Sequence, residues 1–205
     1  MKLLNLCEES QNYLTDPQEI ENYIRKVLLF TKGYTIDQNG HVTFRAQLDI
    51  SKKVQAKRLN IKIAKCGVLV CKNSNLESLD NFPDICKNYT IINNNILDFR
   101  GIDKFNISNM YTKGNKLESF RGIENALLHM LRIKDLDYLK NCNNIINILF
   151  TICDTIFVSG DTYETNELLK IIKEYLRLSL KSRKEYVMDC AVELIDNGFE
   201  EAAEL

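Results

Sequence analysis

The feature that most constrains this chain is a recurrence at its centre. Three blocks align without gaps over ten residues: Asn73 to Phe82, Asn93 to Ile102 and Gly114 to Ile123. Their anchors, Leu76, Ile96 and Leu117, stand 20 and 21 residues apart. A unit this short cannot bury its own apolar side, so successive units must stack against one another. Weaker copies flank the three. Leu136 to Leu139 begins 19 residues after Leu117, and Val54 lies 22 before Leu76.

The inside of each unit follows the leucine-rich-repeat pattern L-x-L-x-x-N-x-L-x-x-L. Its positions are filled by Leu69, Cys71, Ser74, Leu76 and Leu79, then by Tyr89, Ile91, Asn94, Ile96 and Phe99, then by Met110, Thr112, Asn115, Leu117 and Phe120. A fourth unit opens at Leu131 and Ile133 with its register slipping. The apolar positions should point inward along the stack. The Asn should turn the chain, its amide satisfying backbone groups of its own turn and of the next unit. Gly101 and Gly122 fall where a positive φ would bend the chain back.

The flanks read differently. Asp16 before Pro17, with Glu19 three residues on, predicts a helix start, and Ile20, Ile24, Val27 and Leu28 share one face. Asn39-Gly40 between two β-prone triplets predicts a hairpin with a type I′ turn. Residues 143–158 are almost all apolar and predict a buried helix against the last unit. Asp161 with Glu164, and Ser182 with Glu185, predict the starts of two amphipathic helices over about 163–180 and 183–197, with Gly198 as a stop. The expected fold is therefore α+β: a short, irregular leucine-rich-repeat-like β-solenoid. Residues 1–50 would form a helix-and-hairpin cap, 51–141 the coils and 142–205 a helical cap.

Composition narrows the function classes. The 205 residues carry a net charge of −1 and a mean hydropathy of −0.23, which argues against a membrane protein and against a strong general pull towards nucleic acid. The seven cysteines form no Cys-x-x-Cys pair, and Cys7-Glu8-Glu9 cuts the apolar start short of a secretory core, so reduced thiols in a cytoplasmic setting are expected. Cys66 and Cys71 are the nearest pair for a metal, and the two histidines, His41 and His129, lie far apart in sequence. Neither a Walker A run nor G-x-G-x-x-G is present. The reading is no cofactor, no metal site and no enzyme.

The strand positions between the inward ones should line an outer face. They are Val70 and Lys72, Thr90 and Ile92, Tyr111 and Lys113, and Arg132 and Lys134. Aromatic and Arg side chains are favoured at binding hot spots. Lys72, Ile92, Tyr111, Lys113, Arg132 and Lys134 are accordingly the candidate partner-binding residues. Two charge blocks accompany the face. Residues 52–65 carry Lys52, Lys53, Lys57, Arg58, Lys62 and Lys65 with no acid, which offers nucleic-acid binding as the alternative function. Residues 185–205 carry seven acids and no base, and the opposite signs would permit a homodimer.

Tyr34 to Ile123 resembles the leucine-rich-repeat-like accessory proteins of tailed phages. Leu48-Asp49-Ile50-Ser51-Lys52-Lys53 is similar to their D-I/L-S-x-K strand, and the three blocks to their N-x-L-x-S-L/F-x-G coils. The segment Cys190 to Leu205 is similar to their acidic helical tails. This chain departs from them in having few coils and a larger helical end. The resemblance implies a phage protein working in the host cytoplasm by binding and inhibiting a host protein, for instance a component of a defence system.

Overall fold

The structure, a computed structural model, describes residues 13–54, 56–134, 143–159 and 163–205. The expected copy at Leu136 to Leu139, the cap at Asp161, and Cys7 and Cys142 lie outside the described residues. Helix α1 (Pro17–Lys26) starts where the sequence predicts. The Asp16 carboxylate accepts from the Glu19 amide at 2.9 Å, and Pro17 needs no partner for the N–H it lacks. Ile20, Ile24 and Leu28 are fully buried in the common core.

Strands β1 (Tyr34–Ile36) and β2 (Val42–Phe44) form an antiparallel hairpin. Its turn is not type I′, which would need positive φ at both Asn39 and Gly40, because only Gly40 has it (φ +77°). The Asp37 carboxylate takes the Asn39 and His41 amides at 2.8 and 2.9 Å, and this pins a longer five-residue loop instead.

From β2 onward the chain winds as a β-solenoid of about five turns. The remaining strands are β3 (Gln47–Asp49), β4 (Ile63–Lys65), β5 (Val68–Lys72), β6 (Ile85–Ile92), β7 (Asn106–Lys113), β8 (Leu127–Lys134) and β9 (Ile152–Val158). Each pairs in parallel with its counterpart one turn away, as in Leu69 with Tyr89, Tyr89 with Met110 and Met110 with Leu131. The first two turns have their strand broken, at Arg45-Ala46 and at Cys66-Gly67. The Gly67 amide still donates to the Ala46 carbonyl at 3.0 Å, and the Lys87 amide to the Gly67 carbonyl at 3.0 Å.

The repeat becomes a set of columns. Leu76, Ile96 and Leu117 stack fully inside, as do Leu79, Phe99 and Phe120, the two rings 5.5 Å apart. Each such side chain contributes about 1.5–3 kcal/mol through burial. Ser74, Asn94 and Asn115 form a buried polar column. The Asn94 side chain donates to the Cys71 and Ile92 carbonyls, both at 3.1 Å, and accepts from the Ser74 amide at 3.2 Å. Asn115 in turn accepts from the Asn94 amide and donates to the Ile91 carbonyl. The ladder expected from the sequence thus joins coil to coil. Asn81, Gly101 and Gly122 form a positive-φ column at 63°, 86° and 94°. Gly122 alone of the two glycines is sterically required, since a Cβ there would lie 2.4 Å from the Phe99 carbonyl oxygen.

The apolar run 143–158 is not a helix. Residues 145–150 make a buried 3-10 segment, and β9 then pairs with β8, so the solenoid continues through Val158, past the boundary expected at 142. An apolar run fits a strand or a helix, and the open edge of β8 selects the strand, in which Val158 alone is fully buried. Helices α2 (Tyr163–Leu176), α3 (Leu180–Glu185) and α4 (Val187–Asp196) follow and pack on residues 145–150. Helix α3 is capped by Ser179, which accepts from the Ser182 amide, so the expected start at Ser182 falls inside the helix. Gly198 ends α4 as predicted. At φ +79° its amide donates to the Ile195 carbonyl, while the Phe199 amide reaches back to the Leu194 carbonyl.

Candidate functional site: the outer strand face

Alternation along each strand sends one side chain inward and the next outward. Cys71, Ile91, Thr112 and Ile133 are buried, and their neighbours point out. The parallel register then assembles the six candidate residues into two rows across the strands. Lys72, Ile92, Lys113 and Lys134 pair successively in one row. The adjacent row runs Val70, Thr90, Tyr111, Arg132 and ends at Phe157 of β9. Neighbours in a row are about 4.8 Å apart, the spacing of paired strands.

Lys72, Lys113, Arg132 and Lys134 are exposed, and among the described residues none of them makes an ion pair. Tyr111 and Ile92 are half-buried between them. The Arg132 guanidinium lies over the Phe157 ring, 5.2 Å from its centre. Phe157, 48% exposed, belongs to the face but was missed because its segment was expected to be helical. One signal could have found it. Cys153, Ile156 and Val158 repeat the spacing of Leu128, Leu131 and Ile133, and the register pairs each with its counterpart.

The basic block 52–65 is largely consumed internally. The Lys53 ammonium donates to the Leu28 and Asp49 carbonyls and sits over the Phe30 ring. Lys57 pairs with Glu77 at 3.0 Å, and Lys62 with Asp84. In the acidic segment, Tyr175 donates to Glu193 at 3.0 Å, and Asn144 holds the Glu201 and Glu204 carbonyls at 3.0 and 3.1 Å. Helix α4 nevertheless exposes Met188, Val192 and Ile195 beside Asp189, Glu193 and Asp196.

Among the described residues, the Cys66, Cys71, Cys86 and Cys190 thiols are core atoms, and Cys153 is half-buried. Burial pushes Cys71 and Cys190 up to about 12. The Cys66 thiol is raised by its hydrogen bond to Cys86, with the sulfurs 3.5 Å apart, and by burial. His129 Nδ1 meets Asp154 Oδ2 at 2.8 Å, both about three-quarters exposed, and among the described residues no hydrogen bond joins Ser108 of the neighbouring strand to that histidine. Among the described residues, no three His, Cys, Asp or Glu side chains gather as a metal ion would need, and no helix is long and apolar enough to cross a membrane. No protein-family model, curated protein or solved structure matches the chain.

Proposed function

We propose that this chain is a leucine-rich-repeat-like solenoid closed by helices at both ends, and that it works by binding another protein through the outer strand face. The observation that carries this reading is the pair of rows: four exposed cations that make no salt bridge among the described residues, beside Tyr111, Ile92 and Phe157. A rigid sheet presents them with little ordering cost on binding, which favours affinity. Exposed cations among aromatic groups suit an acidic partner carrying apolar side chains.

An acidic amphipathic helix laid across the strands fits the spacing. Residues three and four apart on a helix lie about 5–6 Å from one another, close to the roughly 4.8 Å between strands. Carboxylates on successive turns could then meet Lys113 and Lys134 on adjacent strands, with an apolar side chain of the helix against Ile92. The phage origin, the host cytoplasm and the inhibition of a host protein rest on the resemblance of Tyr34 to Ile123 and belong to the same proposal. The nucleic-acid alternative is weaker, because Lys53, Lys57 and Lys62 are already engaged within the fold.

The test is a pull-down from host lysate with three proteins: the natural chain, a Tyr111→Ala, Lys113→Glu variant, and a Lys181→Glu variant altered away from the face. The partner should be held by the first and third, lost by the second, and eluted by raising salt. Equal retention by the double variant would remove the face from the proposal.

A further inference from the structure

A depression of about 410 Å³ opens where β9 meets the turn between α2 and α3. Ile152 and Ile156 form one wall, and Leu176, Leu178 and Leu180 the other. Arg183, inside α3, lines the depression although it is only 6% exposed. Its Nε and Nη1 are closed off from solvent and have no hydrogen-bond partner. Burial draws the guanidinium below its ordinary pKa, yet an arginine starts so high that it stays charged at neutral pH.

Charges buried in proteins are otherwise paired, because taking them out of water without a counter-ion is costly. The acids nearby are committed elsewhere. Asp154, on the same depression, holds His129 at 2.8 Å. Glu174 holds Arg177 through both carboxylate oxygens at 2.8 Å. Among the described residues Arg183 is left with no counter-ion.

We infer that this depression binds a small ligand bearing an oxyanion, a carboxylate or a phosphate group, which engages the Arg183 guanidinium while the rest of the ligand lies against the Ile and Leu walls. The planar guanidinium matches two oxygens of either group, and because Nε and Nη1 are closed off in the unliganded chain this grip requires the Arg183 side chain to shift toward the depression on binding. Arg177 lines the same depression but is already neutralised by Glu174, so Arg183 is the cation that the ligand engages. The site lies apart from the six-residue face and stands whether or not that face binds protein.

Thermal melts of the full chain test it, at fixed ionic strength with sodium phosphate, sodium acetate or sodium hexanoate. The melting temperature should rise saturably, by about 5–10 °C at a hundred times Kd. A response to phosphate alone identifies a phosphate ligand. Hexanoate acting at lower concentration than acetate identifies a carboxylate with an apolar body. Arg183→Met should abolish the rise while folding at least as well, since it removes an uncompensated buried charge. Arg183→Lys keeps the charge without the planar fork and should weaken binding tenfold or more; it decides the question if the Met variant fails to fold. The inference is overturned if no anion gives a saturable rise, or if the lysine variant binds as the natural chain does.

Discussion

Asn94→Ala should be among the most damaging single changes in the solenoid. The Asn94 side chain has four partners: the Cys71 and Ile92 carbonyls, the Ser74 amide and the Cys71 thiol. Alanine takes the acceptor from the Ser74 amide, while the Ile92 carbonyl keeps the Asn73 amide at 2.9 Å and the Cys71 carbonyl keeps its ladder partner on β6. Asn94 is only 3% exposed, so water does not replace the lost bonds in place. One orphaned buried backbone amide costs about 1–3 kcal/mol. That is a substantial share of the roughly 5–15 kcal/mol typical of a domain, and corresponds to about 2–12 °C in melting temperature. Urea unfolding followed by far-UV circular dichroism would measure it, with Lys113→Ala on the exposed face as a control expected within about 0.5 kcal/mol. A loss below about 1 kcal/mol for Asn94→Ala would show that the polar column does not hold the coils together.

Three further outcomes follow from the same structure. Gly101→Ala and Gly122→Ala share a positive φ, so each should lose about 1–2 kcal/mol, but only Gly122→Ala adds a clash with the Phe99 carbonyl; equal losses in urea unfolding would contradict the assignment. Cys71 and Cys190, held near 12, should be almost wholly protonated at pH 8, with roughly one thiolate in ten thousand, so iodoacetamide followed by mass spectrometry should modify them only in urea. Because their folded values exceed the ordinary value of 9.0, their contribution to stability is full below that value and is lost as pH climbs from there towards 12. Stability that stayed level over that range would refute the shift.

Much of the solenoid was legible before any coordinates. A stacked coil places the same residue type at the same height on every turn, so the geometry writes itself into the chain as a period. Leu76, Ile96 and Leu117, the Ser74, Asn94 and Asn115 column, and the Gly101 and Gly122 bends could all be read from that period alone. The outward rows followed too, because alternation along a strand decides which side chain faces out. Local caps were partly readable: Asp16 and Gly198 act where their chemistry predicts, because each works within a few bonds of itself.

Only the tertiary structure decided the rest. Ile152–Val158 carries 25 residues, not 20 or 21, between its positions and those of β8, as in Leu127 with Ile152, and its apolar run is ambiguous until a neighbouring strand offers an edge. Phe157 therefore joined the face only in three dimensions. Which cations stay unpaired depends on carboxylates from other turns, as with Lys57 and Glu77. Arg183 shows the limit most clearly. As one charged residue in an amphipathic stretch it gives no sign of burial, because burial is set by what the rest of the fold places around it. The sequence by itself determined the repeating core, since every coil must satisfy the same local packing; the tertiary structure decided which charges were left without partners, since that depends on residues distant in the chain.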